Sequence, residues 1–224
     1  MNHHVSVGVD GTPESLSAAR WAAREATLRQ APLRIVHAED WSSGTLIPER
    51  DPGTRDRWAD EVTETPVVLV RAEDDGGNAA STPYGEIVVG VDIHQACDRV
   101  LAFAFEEASR RDCALRAVHS WKLPSASGYS PVLRPSVARE VDRTVAQMLD
   151  DMLMPWRLKF PDVRLEEKTF IGSAGRELVQ ATTGADLVVI GRRIRRSPMG
   201  THLGPVAHAV LHHTAAPVAV LAHD

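Results

Sequence analysis

The stretch GRRIRRSPMGTHLGPVAHAV, Gly191 to Val210, holds the residue types that bind phosphate. Glycine lets a backbone come close to an anion, arginine grips phosphate oxygens with paired N–H groups, and a helix N-terminus favours negative charge. Gly191, Gly200 and Gly204 supply the first of these, and Arg192, Arg193, Arg195 and Arg196 the second. Apolar spacing predicts a helix from Gly204 to about His213, which supplies the third. Arg193 and Arg195 are the candidate phosphate ligands. The alternative is that all four arginines are solvated loop charges.

Two residues oppose binding. Ile194 stands where the loop has room for a further glycine; in a left-handed conformation a β-branched residue is strained by about 1–3 kcal/mol. Pro205 suits the first position of a helix but has no backbone N–H. One lost hydrogen bond to a charged partner costs about 1.5–3 kcal/mol.

Other chemistry is thinner. No Ser/His/Asp constellation, Walker loop or paired-carboxylate motif is present, so no reaction is assigned, and any hydrolysis of a bound nucleotide would be slow and incidental. His212 and His213 are adjacent on a helix, so their side chains diverge by about 100°, which suits helix-end charges better than metal ligands. His37 and His119 each end a strand, as general bases or structural groups. Cys97 sits early in a helix, where a thiol pKa can fall, though redox sensing is the lesser reading of it.

The elements that must position these residues come as a repeat. SVGVDGTPES at Ser6 and VVGVDIHQAC at Val88 align, and the register holds through Ala22 with Ala104, Glu25 with Glu107, Arg29 with Arg111 and His37 with His119. Each copy reads strand, amphipathic helix, strand, and each closes on a short apolar strand, TPVVLV or APVAVL. The second copy adds a loop from Lys122 to Pro135, a helix from about Ser136 to Phe160 broken or kinked by Pro155, the strand VRLEEKTF, a helix opened by Ser173 and the buried run ADLVVIG. Alternating strands and helices imply a parallel, doubly wound α/β sheet. Such sheets bind ligands at the carboxyl ends of their strands, where strand order reverses, placing Asp92 and Gly191 on opposite rims of one crevice. Asp92 can equally serve as a turn cap.

The first copy is short and lacks the fourth strand and the arginine-rich loop. The predicted division is residues 1–73, an acidic Gly-rich linker at 74–85, and a complete domain at 86–224. The short half has too little sheet to bury its own core, so it is expected to lean on other sheet through its last strand. Net charge is −5, which argues against general nucleic-acid binding. No apolar run approaches the roughly 20 residues of a membrane span, and the N-terminus enters a strand at once, leaving no room for a signal peptide. Cys97 and Cys113, at opposite ends of one helix about 24 Å apart, are expected to be free thiols, which fits a cytoplasmic protein.

This order, with VGVD, ADLVVIG and the glycine-spaced loop before PVAVL, resembles the universal stress protein family in its tandem, two-domain actinobacterial form. The resemblance implies an open five-stranded parallel sheet of order 3-2-1-4-5 in the second half, and an incomplete repeat of it in the first. ATP-binding members carry G-x2-G-x9-G-[S/T] after the fourth strand. Gly191 and Gly204 match its first and last glycines and Gly200 a common extra one, while Ile194 and Pro205 depart from it. Asp92 and the Val118 region are expected beside adenosine. The implied ligand is ATP, possible with Mg²⁺, held weakly and only by the second half in a stress-response switch or scaffold. The implied association is through the last strands, Pro66–Val70 and Pro217–Leu221, within the chain or in a homodimer. The alternative is a nucleotide-free interaction module whose loop has degraded.

Overall fold

The computed structural model describes residues 4–37, 65–71, 85–95, 97–122, 135–193 and 204–223. The chain forms two compact units, Met1–Thr82 and Pro83–Asp224.

The first unit contains β1 (Val5–Val9), α1 (Pro13–Leu28), β2 (Leu33–His37) and β3 (Val67–Leu69). β1 and β2 pair in parallel from Val5↔Leu33 to Val9↔His37. α1 starts where the sequence supplies a cap: the Thr12 hydroxyl accepts the Ser15 N–H, Pro13 takes the first turn and Glu14 faces the positive end of the helix. Its buried Glu25 pairs with Arg29 one turn on. Val7, Ala22 and Ala26 are the buried apolar residues described here, whereas Ile35 is 62% exposed.

The second unit contains β4 (Glu86–Gly90), α2 (Asp98–Arg111), β5 (Ala114–Trp121), α3 (Pro135–Lys159), β6 (Leu165–Ile171), α4 (Ala174–Ala181), β7 (Leu187–Arg193), α5 (Pro205–His213) and β8 (Val218–His223). Its strands lie in the order β6-β5-β4-β7-β8, every pair parallel. This is the predicted 3-2-1-4-5 arrangement. The order reverses between β4 and β7, where Ile87, Val88 and Val89 pair with Leu187, Val188 and Val189. These central residues are at most 1% exposed, as expected when helices cover both faces of a parallel sheet.

On one face Val88, Val118, Val188 and Ile190 pack with Leu178 of α4 and Ala207 and Val210 of α5. α4 and α5 approach closely because Gly175 stands there: a Cβ on it would lie 3.0 Å from the Ala209 Cβ. On the other face Phe105 of α2 stacks with Trp156 and Phe160, at 5.9 and 5.6 Å between ring centroids. Glu107 of α2, 1% exposed, pairs with both Arg110 and Arg111, the second also buried. α3 does not break at Pro155 but runs on to Lys159. Pro155 is solvent-facing and close to the helix end, so water can satisfy the carbonyl it orphans. Among the described residues no helix is long and apolar enough to cross a membrane.

Candidate functional site

The reversal of strand order opens a cavity of about 480 Å³ at the carboxyl ends of β4, β5 and β7. That volume lies in the range of small-molecule sites.

β4 ends at Gly90, where a Cβ would sit 2.8 Å from the Leu178 Cδ2. The chain then turns through Asp92, whose Oδ1 accepts the His94 N–H at 3.0 Å. Asp10 makes the same turn in the first unit, accepting the Thr12 N–H at 3.0 Å together with its hydroxyl. Those bonds hold Asp10 at a pKa of about 2. The turn cap foreseen for Asp92 is therefore present, and it uses one carboxylate oxygen.

β5 contributes two kinds of group. The Val118 carbonyl accepts the Val91 N–H at 2.9 Å, and the Trp121 carbonyl accepts the Gly172 N–H on the opposite side at 2.9 Å. Backbone groups alternate along a parallel strand, so Ser120 turns its N–H and C=O to the Val118 side. β4 has already bent away there, and Ser120 lines the cavity. Val118 lies at its floor, 3% exposed, with its carbonyl already bonded. The His119 Nδ1 lies 2.9 Å from the Val91 carbonyl oxygen, and the equivalent His37 Nδ1 lies 2.7 Å from that of Val9. A carbonyl only accepts, so each Nδ1 carries the proton.

From β7 come Ile190, Gly191 and Arg193. Gly191 is needed for space: a Cβ there would lie 2.7 Å from the His223 ring and 3.2 Å from the Val100 Cγ2. Gly204 caps α5 at φ −66° and ψ 163°, and a Cβ on it would meet nothing described within 4 Å. Neither dihedral strain nor a neighbour among the described residues demands glycine at that position. Pro205 follows at the first helical position, as read from the sequence, and Val206 lines the cavity.

Asp92, Val118, Gly191 and Arg193 thus meet at one cavity, with the start of α5 beside it. Ile194, Arg195 and Gly200 lie outside the described residues. Sequence reading passed over Ser120, Lys122 and His223, which also line the cavity. Lys122 had a usable signal, since it directly follows the apolar run of β5 and parallel strands present their C-terminal residues to the crevice.

The structure decides against one possibility raised for Cys97. Cys97 is the N-cap of α2, yet its thiol pKa is pushed up to about 11, first by burial and then by Asp98 and Asp92. Its S–H lies against the Met152 sulfur at 3.9 Å. Desolvation outweighs the helix terminus, so the low-pKa thiol of a redox sensor is not formed. Cys113 is raised to about 11 by the same burial, and both cysteines are free and buried. His212 stacks with His208 one turn earlier, at 4.2 Å between centroids. Among the described residues no group of three or more His, Cys, Asp or Glu could hold a metal.

An open parallel sheet with its crevice at the strand reversal defines the second unit as a doubly wound α/β domain. The chain belongs to the universal stress protein family: the family model matches residues 1–82 and again residues 83–222. A universal stress protein of Mycobacterium tuberculosis is 27% identical over 288 aligned positions, covering 97% of this chain and 96% of the relative. That alignment has more positions than this chain has residues, so the relative contains segments missing here. Among solved structures, a universal stress protein from Lactobacillus plantarum matches at TM-score 0.50 and 23% identity, covering 63% of this chain and 99% of its own. That likeness shows the fold alone. A universal stress protein in complex with cAMP matches at TM-score 0.42 and 19% identity, covering 64% of this chain and 100% of its own.

Proposed function

We propose that the second unit binds an adenine nucleotide, ATP, in the crevice between β4 and β7, and that the bound state acts as a stress-response switch. The observation that supports this best is the division of charge along the crevice. Arg193, Lys122 and the N-terminus of α5 offer positive potential, which suits phosphates. Asp92 offers a carboxylate and Ser120 a backbone N–H and C=O, which suit the donors and acceptors of a nucleoside. Among the described residues nothing crowds Gly204, which suits a phosphate approaching the backbone there. Gly200 and Arg195 complete the phosphate loop in this reading, with Mg²⁺ accompanying the triphosphate. Turnover of ATP is not part of this proposal.

Pro205 favours a second reading, in which the site has lost nucleotide and the protein works through its surfaces, associating through the last strands, Pro66–Val70 and Pro217–Leu221. Calorimetric titration of nucleotide-stripped protein with ATP and Mg²⁺ decides between them. Micromolar binding that weakens about 10-fold or more in Arg193→Ala supports the first. Absence of heat in the wild type, with recovery in an Ile194→Gly/Pro205→Ser variant, supports the second. Sedimentation of the nucleotide-free protein then tests self-association.

A further inference from the structure

His119 is 5% exposed, lines the crevice, and its Nε2 is the one buried side-chain nitrogen or oxygen among the described residues that has no hydrogen-bond partner. Buried polar atoms are nearly always partnered, and leaving one unpaired is costly. With Nδ1–H donating to the Val91 carbonyl, the Nε2 of the neutral imidazole is a bare acceptor. The duplication supplies an internal control. His37 makes the same bond across the same 28 residues, so that bond belongs to the strand–helix–strand unit itself. The His37 ring is exposed, so water can meet its Nε2. Only in the second unit, the one with the complete sheet and crevice, is the acceptor enclosed. The His94 ring stands edge-on to that of His119 at 6.3 Å between centroids.

Resting on the nucleotide reading above, we infer that the His119 Nε2 accepts a hydrogen bond from the nucleoside part of the ligand and so decides which end of the ligand lies against β5. Phosphate oxygens at neutral pH only accept, and an acceptor facing an acceptor is repelled. The donors that an adenine nucleotide can offer are its ribose hydroxyls and its exocyclic amine. His119 therefore selects the nucleoside end for the β5 side and leaves the phosphates to Arg193 and Gly204. It also sets specificity, because a ligand without the matching donor leaves Nε2 unpaired.

The test uses the full chain and four probes: ATP, its 2′-deoxy and 3′-deoxy analogues, and the purine riboside triphosphate lacking the 6-amino group. The variant is His119→Asn, whose amide can keep the donor to Val91 while removing the ring nitrogen. In the wild type, the analogue lacking the donor binds about 5- to 100-fold more weakly than ATP. His119→Asn binds ATP about that weakly and no longer distinguishes the analogue. A second readout does not depend on the variant folding: in ¹⁵N-histidine-labelled wild type, the His119 Nε2 resonance moves on saturation with ATP. If ATP binds, but the wild type treats all four probes alike and Nε2 does not move, this inference is wrong and the nucleotide reading stands. If the wild type binds none of the four, both are overturned.

Discussion

Glu107 is a point in the second unit where a single substitution is expected to be strongly destabilising. It is buried on α2 with two guanidinium partners, and the Arg111 side chain is 2% exposed whereas that of Arg110 is 27% exposed. Glu107→Leu removes this carboxylate from a guanidinium that has little access to water. Arg110 can swing into solvent, but Arg111 cannot. Breaking a buried pair in this way costs about 3–5 kcal/mol, which lowers Tm by roughly 10–20 °C for a unit of this size. Arg111→Met is milder, since Glu107 retains Arg110. In the Glu107→Leu/Arg111→Met double variant both charges are gone, and stability returns to within about 1 kcal/mol of the wild type or above it. Urea unfolding followed through Trp156, which stacks on Phe105 of α2, reports on this packing. The reasoning is refuted if Glu107→Leu costs less than about 1 kcal/mol, or if the double variant is as unstable as that single one. The equivalent Glu25 provides a contrast: its partner Arg29 is 30% exposed, so Glu25→Leu is expected to cost less, because that guanidinium can reach water.

Three further outcomes are expected. Pro205→Ser restores an N–H and a hydroxyl at the start of α5, and calorimetry shows ATP binding tightened by about 10-fold or more; unchanged affinity would mean that phosphate does not touch this turn. Asp10, held at about pKa 2 by Thr12, has a folded pKa below its unfolded one. Its contribution to stability is present above the ordinary value of 3.8 and is lost as pH falls through that value toward 2. Carboxylate NMR titration in wild type and Thr12→Ala checks this, the variant returning toward 3.8. Cys97, raised from 9.0 to about 11, has about 100-fold less thiolate near neutral pH than an ordinary thiol. Timed alkylation of the native protein at pH 8, with mass mapping, shows Cys97 reacting far more slowly than it does in urea; rapid reaction would contradict its burial.

Much of this protein was settled by its sequence. The repeated strand–helix–strand pattern, the apolar runs of β4 and β7 and the proline and glycine that open α5 are local signals, and local backbone preference and burial periodicity read them directly. The glycine spacing and Asp92 located the crevice, because in a doubly wound sheet the ligand site follows from topology. What the sequence left open depends on neighbours that are distant along the chain. It cannot say that Gly191 is required by the His223 ring, that Pro155 faces solvent and lets α3 continue, or that desolvation outweighs the helix terminus at Cys97. His37 and His119 are the clearest case. They are equivalent residues with the same backbone partner, yet one ring is exposed and the other enclosed. Sequence determines the bond each imidazole makes to its own strand–helix–strand unit. The tertiary structure decides whether water can reach the other nitrogen, since burial is a property of everything packed around a residue.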